Sequence, residues 1–421
     1  MKIPKIKWPL IIIALLMYPS LIKAADWPQW WGPERNGISH ETGLLKEWPT
    51  EGPTLHWQIK NLGSGYGTPV VVGDRLYVVV NEGVEDEFVR ALDVKSGQQI
   101  WSTRIGKVGK PDQKPSYPGS RSTPTVDGDV LYVFGSAGDL ACIEIATGKT
   151  RWHLNVRETF GGEFGRWAYA ESPLIDGDLL ICAPGGAEAT LVALNKMTGD
   201  LVWKSSIPEG GQAAYASTII ATIAEKKQYV HFLQKNLVGV DPENGKLLWQ
   251  YAKTSEGSPA NIPTPIVHND HIYSASNRGG GSLIHIKADQ DPMAVEEVYH
   301  SLKLPRAVGG ALLVDGYLYG TTDKAMQCVN FMTGEVKWTD RSVGSGSLCY
   351  VDGRLYVHGE AGEVALIVPT PDGYREQGRF TPPEQPNVGQ AQAWAYPVVA
   401  NGRLYIRDSG TLSCYDVKEK E

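Results

Sequence analysis

The chain has 421 residues, 42% apolar and 21% charged, with 47 glycines, 27 prolines and a formal net charge of −7. That length holds two ordinary domains or one large repeat assembly, and the composition is globular. The acidic balance excludes nucleic acid held by phosphate neutralisation, which needs a basic face.

The N-terminus, "MKIPKIKWPLIIIALLMYPSLIKA", has lysines first, then an apolar stretch broken by Pro9 and Pro19, then small residues. This layout predicts a secretory signal over residues 1–24, cut after Ala24. The run from Trp8 to Ile22 is shorter than the roughly 20 residues needed to cross a bilayer, so no membrane span is expected after removal. No cysteine at the cut site marks a lipid anchor. Cleavage removes Lys2, Lys5, Lys7 and Lys23 and no acid, taking the net charge from −7 to −11. Residues 25–53 then form an N-terminal extension, rich in Trp, Pro and Gly, and 54–421 a single repeat domain.

From Thr68 onward the chain repeats one unit. Its first part is a hairpin, as in "TPVVVGDRLYVVV", "TPTVDGDVLYVF", "ALLVDGYLYGT" and "YPVVANGRLYIR". Asp-Gly or Asn-Gly between β-branched runs is a strong two-residue hairpin signal, because both central residues accept positive φ. "STIIATIAEKKQYVHF" fills the fourth slot with a longer, more polar turn. A third strand follows, then a turn of fixed spacing and a fourth strand carrying tryptophan. "LDVKSGQQIW" is the first such turn, repeated as "IEIATGKTRW", "LNKMTGDLVW", "VDPENGKLLW" and "VNFMTGEVKW". The acidic or amide side chain caps backbone amides, and glycine takes the left-handed position that closes the turn.

Four strands per unit of about 45 residues, in eight units, predict an all-β fold: an eight-bladed β-propeller of antiparallel blades. Trp57, Trp101, Trp152, Trp203, Trp249 and Trp338 are expected to fill the wedges between blades, since an indole buries on the order of 200 Å². The fifth unit has Tyr299 near the tryptophan slot, and the seventh has no equivalent. The eighth lacks a fourth strand; "PTLHWQIK", with Trp57 placed 44 residues before Trp101, supplies one and closes the ring. Closure hides the sheet edges. The five cysteines, 142, 182, 328, 349 and 414, sit in apolar runs without CxxC spacing and predict buried thiols.

These turns resemble the tryptophan-docking repeat of the pyrroloquinoline-quinone (PQQ)-type propellers, approximately A-x-D-x-x-T-G-x-x-x-W, from about Trp27 to Val417. The resemblance is specific for the fold and weak for activity. One branch, the quinoprotein alcohol dehydrogenases, uses PQQ with Ca²⁺ held by Glu and Asn beside an Asp base, often with a ring of adjacent cysteines. Another, the BamB-type outer-membrane assembly proteins, binds no cofactor and acts as periplasmic scaffolding. "DWPQWWGPERNGIS" looks like a third group, exported PQQ-like repeat proteins of uncertain function.

Loops leading into the innermost strands of a propeller gather at one channel mouth. Here they place Tyr117, Arg121, Arg166, Trp167, Tyr169, Glu171, Gln212, Tyr215, Arg306, Trp394 and Tyr396 as candidates for a funnel. Aromatics with few charges suit a small-molecule pocket, and Arg121, Arg166 and Arg306 suit carboxylates; the same residues equally suit packing and hydration. His268-Asn-Asp-His271 has a metal spacing but occupies a hairpin turn, and Gly279–Gly281 lacks the setting of a phosphate cradle. No adjacent cysteine pair exists, and no Asn and Asp match the dehydrogenase pattern beside Glu171. The expectation is therefore a monomeric, exported binding or scaffolding protein of a Gram-negative-type envelope, periplasmic or extracellular. Its partner is an envelope protein or small molecule and it needs no cofactor; the alternative is a PQQ/Ca²⁺ oxidoreductase.

Overall fold

The computed structural model describes residues 26–113, 119–223, 225–288, 290–383 and 393–420. The expected signal segment 1–24 and the candidate Tyr117 lie outside these residues. Eight sheets succeed one another along the chain, all of four antiparallel strands except the seventh, which gains a fifth. Blades 1 to 7 span residues 70–107, 125–155, 174–205, 219–251, 266–301, 311–340 and 346–380. Blade 8 joins 398–416 to the strand Thr54–Ile59 from the other end of the domain. There Leu55 pairs with Tyr415, Trp57 with Cys414 and Ile59 with Leu412. The predicted ring closure is present.

Each blade is apolar on both faces, so its core lies between it and its neighbours. One buried cluster joins Tyr77 and Val79 of blade 1 to Leu131 and Val133 of blade 2. Another joins Tyr132 and Phe134 of blade 2 to Leu180 and Val192 of blade 3, and the pattern continues round the ring. All five cysteines are buried and unpaired within these layers.

The fourth-strand aromatic of one blade lies across the turn glycine of the next. A Cβ on Gly148, already at φ +75°, would come within 2.7 Å of the Trp101 ring, so only glycine fits there. Gly97, Gly199, Gly245 and Gly334 meet Trp57, Trp152, Trp203 and Tyr299 in the same way. Each indole N–H then donates to a turn carbonyl: Trp57 to Val94, Trp101 to Ile145, Trp152 to Lys196 and Trp203 to Pro242, at 2.9–3.0 Å. Tyr299 copies the arrangement through its hydroxyl to the Phe331 carbonyl (2.8 Å), and Trp338 reaches Thr370 O (2.8 Å).

Trp249 departs from this pattern. Blade 5 offers no glycine turn, so the Trp249 N–H bonds Gln228 of its own blade at 2.7 Å while its ring stays buried in the cluster between blades 4 and 5. Blade 7 has no tryptophan, and the extension lends one. Trp48 packs edge-on to Tyr356 and Phe380 at 5.7 and 5.3 Å and donates its backbone N–H to Gln377.

The hairpin turns fall into two chemistries rather than one. In blades 6, 7 and 8 the loops Asp315-Gly316, Asp352-Gly353 and Asn401-Gly402 carry positive φ at both residues, as expected. In blades 1 to 3 the register shifts by one, making the loops Gly73-Asp74, Gly128-Asp129 and Gly177-Asp178 with only glycine left-handed. That is the mirror type II turn, equally suited to the strand twist. His268 and His271 pair across the Asn269-Asp270 turn, and the His271 ring stacks on His285 at 4.6 Å.

The extension crosses the ring and touches every blade. Trp27 pairs with Val71 of blade 1, and the Pro28 carbonyl accepts from Val126 of blade 2. The Arg35 guanidinium donates to Ser172 O and Pro173 O at the entry to blade 3 and to Thr218 O at the entry to blade 4. The Trp30 indole N–H reaches Thr264 at blade 5, while Trp31 packs on Leu312 of blade 6. Ile38–Ser39 adds a parallel strand to blade 7, and Leu45 bonds Val417 after blade 8.

Candidate functional site

With the extension beneath it, the channel holds a cavity of about 460 Å³ within the range typical of small-molecule sites. Five of the sequence candidates line it: Arg121, Trp167, Tyr215, Trp394 and Tyr396. They arrive on the loops between blades because each innermost strand begins at the same height around the axis. Further lining comes from Trp30 of the extension, Tyr66, and Asn277-Arg278 in the turn between the second and third strands of blade 5.

Rings dominate the walls. Tyr66 and Trp394 tilt together at 5.1 Å, Trp167 and Tyr215 at 6.2 Å, and Trp30 meets Tyr396 edge-on at 4.9 Å. Backbone contacts hold the phenols in place: the Tyr215 hydroxyl accepts from the Trp167 N–H (2.9 Å), and Tyr396 donates to Val308 O (3.2 Å). The Arg121 guanidinium sits 5.9 Å from the Tyr66 ring centre. Burial lowers its pKa, offset in part by Tyr66, Glu87 and Tyr215. Glu87 behind it accepts from Ser136 N (2.6 Å), and burial pushes its carboxyl up to about 7.

The other described candidates sit elsewhere. Arg166 is exposed, its guanidinium 4.9 Å from the Trp167 ring. Tyr169 is buried between blades 2 and 3, packed on Phe134 and donating to Pro184 O. Gln212 bonds Gln234 and Glu163 away from the cavity. Arg306 is tied to the Asn277 carbonyl and to Asp323.

Glu171 is sequestered: 3% exposed, it accepts from Ala183 N (2.5 Å) and faces buried Arg35. Burial dominates its titration and pushes it up to about 8, while Arg35 is pulled down to about 9 by the same cause. Buried His231 nearby falls to about 4 through burial and the Arg35 charge. The folded state thus holds a Glu171 proton that an unfolded chain releases near pH 4.5. Its stabilising effect is complete below that pH and is lost as pH rises towards 8. Relative to the parent, Glu171→Gln should therefore gain about 2–4 kcal/mol between pH 5 and pH 8, read by urea unfolding at both. A pH-independent difference would contradict this.

Among the described residues no carboxylate lines the cavity, and no group of three or more His, Cys, Asp or Glu can hold a metal. A cofactor that relies on Ca²⁺ bound by protein carboxylates does not fit this donor set.

Three known proteins mark the range of similarity. The chain is 25% identical to the outer membrane protein assembly factor BamB of Shewanella oneidensis over 307 residues, 68% of this chain and 67% of that protein. It is 22% identical to the tetrathionate hydrolase of Acidithiobacillus ferrooxidans over 91% of this chain and 80% of that one. The quinohemoprotein alcohol dehydrogenase structure from Comamonas testosteroni superposes with a TM-score of 0.62 at 14% identity, covering 94% of this chain and 81% of that one; this likeness shows the fold. The family described as outer membrane protein assembly factor BamB matches residues 38–164 and 85–340. With the repeat and the closed eight-bladed ring, that match establishes that this chain belongs to the PQQ-repeat family of BamB.

Proposed function

We propose that this protein is an exported, non-catalytic binding scaffold of the cell envelope. The observation that carries this reading is the lining of the cavity: rings, an amide and two arginines, with no carboxylate among the described residues to bind Ca²⁺ or act as a base. The one carboxyl at the funnel that sequence analysis offered, Glu171, is spent on a backbone amide beneath the wall. Family membership points the same way, and the three-lysine, apolar leader supports export.

The test is direct. Purified protein mixed with PQQ and Ca²⁺ should show no alcohol-dependent dye reduction and no Ca²⁺-dependent shift in melting temperature. Dye reduction would overturn the scaffold reading in favour of a quinoprotein oxidoreductase. N-terminal sequencing of protein from the periplasmic fraction should begin at Ala25, and an uncleaved cytoplasmic product would remove the export component.

A further inference from the structure

We infer that the cavity is a metal-free binding site for a small aromatic carboxylate, a flat apolar body carrying one anionic group. This goes beyond the scaffold reading and does not depend on it, because the cavity faces the channel while a protein partner would meet the outer surface.

Three observations carry the inference. Trp30, Tyr66, Trp167, Tyr215, Trp394 and Tyr396 surround the space from the floor and the loops, so a planar ligand finds ring faces and edges on several sides. Offset and edge-on contacts of this kind add to the burial of the ring itself. Among the described lining residues the charge is of one sign: Arg121 and Arg278 contribute, and no acidic residue does, in a protein whose net charge is −7. Glu87, whose charge acts on Arg121, also accepts from Ser136 N. Finally, the space is bounded below by the extension. Trp30 is fixed by its bond to Thr264 and by Tyr396, so the ring does not leave an open pore at that level.

Arg278 is the decisive residue. It stands exposed at the rim on the turn after the second strand of blade 5, with no ion-pair partner among the described residues. A guanidinium there accepts a carboxylate in bidentate fashion once the ring has entered. A neutral ligand of the same shape would keep the stacking and forgo the charge. A saccharide would need more amides and carboxylates than Asn277 and Ser217 provide among these lining residues.

The experiment uses the full mature protein and three probes: indoleacetate, indoleacetamide and acetate, followed by calorimetry and tryptophan fluorescence. Indoleacetate should bind one-to-one, roughly tenfold or more tighter than the amide, and acetate should not bind measurably. Arg278→Glu, a rim substitution, should weaken indoleacetate by about tenfold or more with the melting temperature unchanged, leaving the amide as before. Lys107→Glu serves as the control, because Lys107 lines a separate cleft of mixed charge, together with Arg104, Arg157, Asp139 and Glu158. Equal binding of acid and amide, absence of saturation at millimolar probe, or loss of binding in Lys107→Glu but not Arg278→Glu would each overturn the assignment. None of these outcomes bears on alcohol-dependent dye reduction or on partner capture, so the two readings fail separately.

Discussion

Arg35→Met is expected to destabilise the folded protein by about 3–5 kcal/mol. The side chain is 4% exposed, and its guanidinium is shared among three backbone carbonyls that start two different blades: Ser172 O at 2.9 Å, Pro173 O at 3.1 Å and Thr218 O at 3.0 Å. Methionine fills much of the space but donates nothing, so Ser172 O and Thr218 O lose this donor, while Pro173 O keeps the Thr125 hydroxyl at 2.6 Å. It also removes the positive charge that partly offsets burial at Glu171, so that carboxyl should titrate still higher. Arg35→Lys should recover only part of the loss, since one ammonium on a flexible stem does not reproduce a planar fork. Urea denaturation at pH 7 measures both variants. A loss below about 1 kcal/mol for Arg35→Met would mean that the extension merely rests on the ring.

The second large effect concerns the seam. Trp57→Ala should cost about 3–5 kcal/mol, the range for truncating a packed indole. Trp57 stacks near Tyr405 at 6.0 Å, covers Gly97 of blade 1 and donates to Val94 O, so one residue ties blade 8 to blade 1. A chain beginning at Asn61 goes further, because it loses the whole of Thr54–Ile59 and leaves the edge of Thr411–Asp416 bare. An unpaired edge of this length recruits other strands, so the truncated protein should elute from gel filtration as concentration-dependent oligomers. A monomeric, equally stable truncation would show that the ring does not need the seam.

The blades and their count were legible because they rest on local rules. Asp-Gly turns, capped Asx-x-x-x-Gly turns and alternating apolar strands are written within about 10 residues, and a recurring period repeats these signals along the chain. The closing strand was legible for the same reason: Trp57 keeps the repeat spacing although it lies at the other end of the domain. Where a unit broke the period, the reading faltered. Trp249 carries the motif, yet its neighbour lacks the glycine that would receive it, so its N–H turned inward to Gln228. Blade 7 lacks an indole, and nothing near residues 346–380 announces that Trp48 would supply one.

The cavity was half legible. Loops between blades had to gather at one mouth, and Arg121, Trp167, Tyr215, Trp394 and Tyr396 stand around the space there. The same reasoning also named Tyr169 and Glu171, two and four residues after Trp167, which point into the blade 2–3 core and onto a backbone amide instead. A loop approaching a strand has no fixed side-chain period, so sequence does not say which of its residues face the channel; Trp167 and Ala170 do, and Tyr169 and Glu171 do not. Trp30 and Arg278 were missed because one belongs to the non-repeating extension and the other to a turn with no motif.

By itself, the sequence determined the architecture: an all-β ring of eight four-stranded blades, docked by indoles and sealed by its own N-terminal strand. Such features repeat, and repetition turns weak local preferences into a firm pattern. Only the tertiary structure decided that the extension runs beneath the channel, that Arg35 joins two blade entries, and that the described lining of the cavity carries arginines without acids. Those arrangements occur once, between residues at opposite ends of the domain such as Trp30 and Tyr396, and depend on which way single side chains face after the ring has closed.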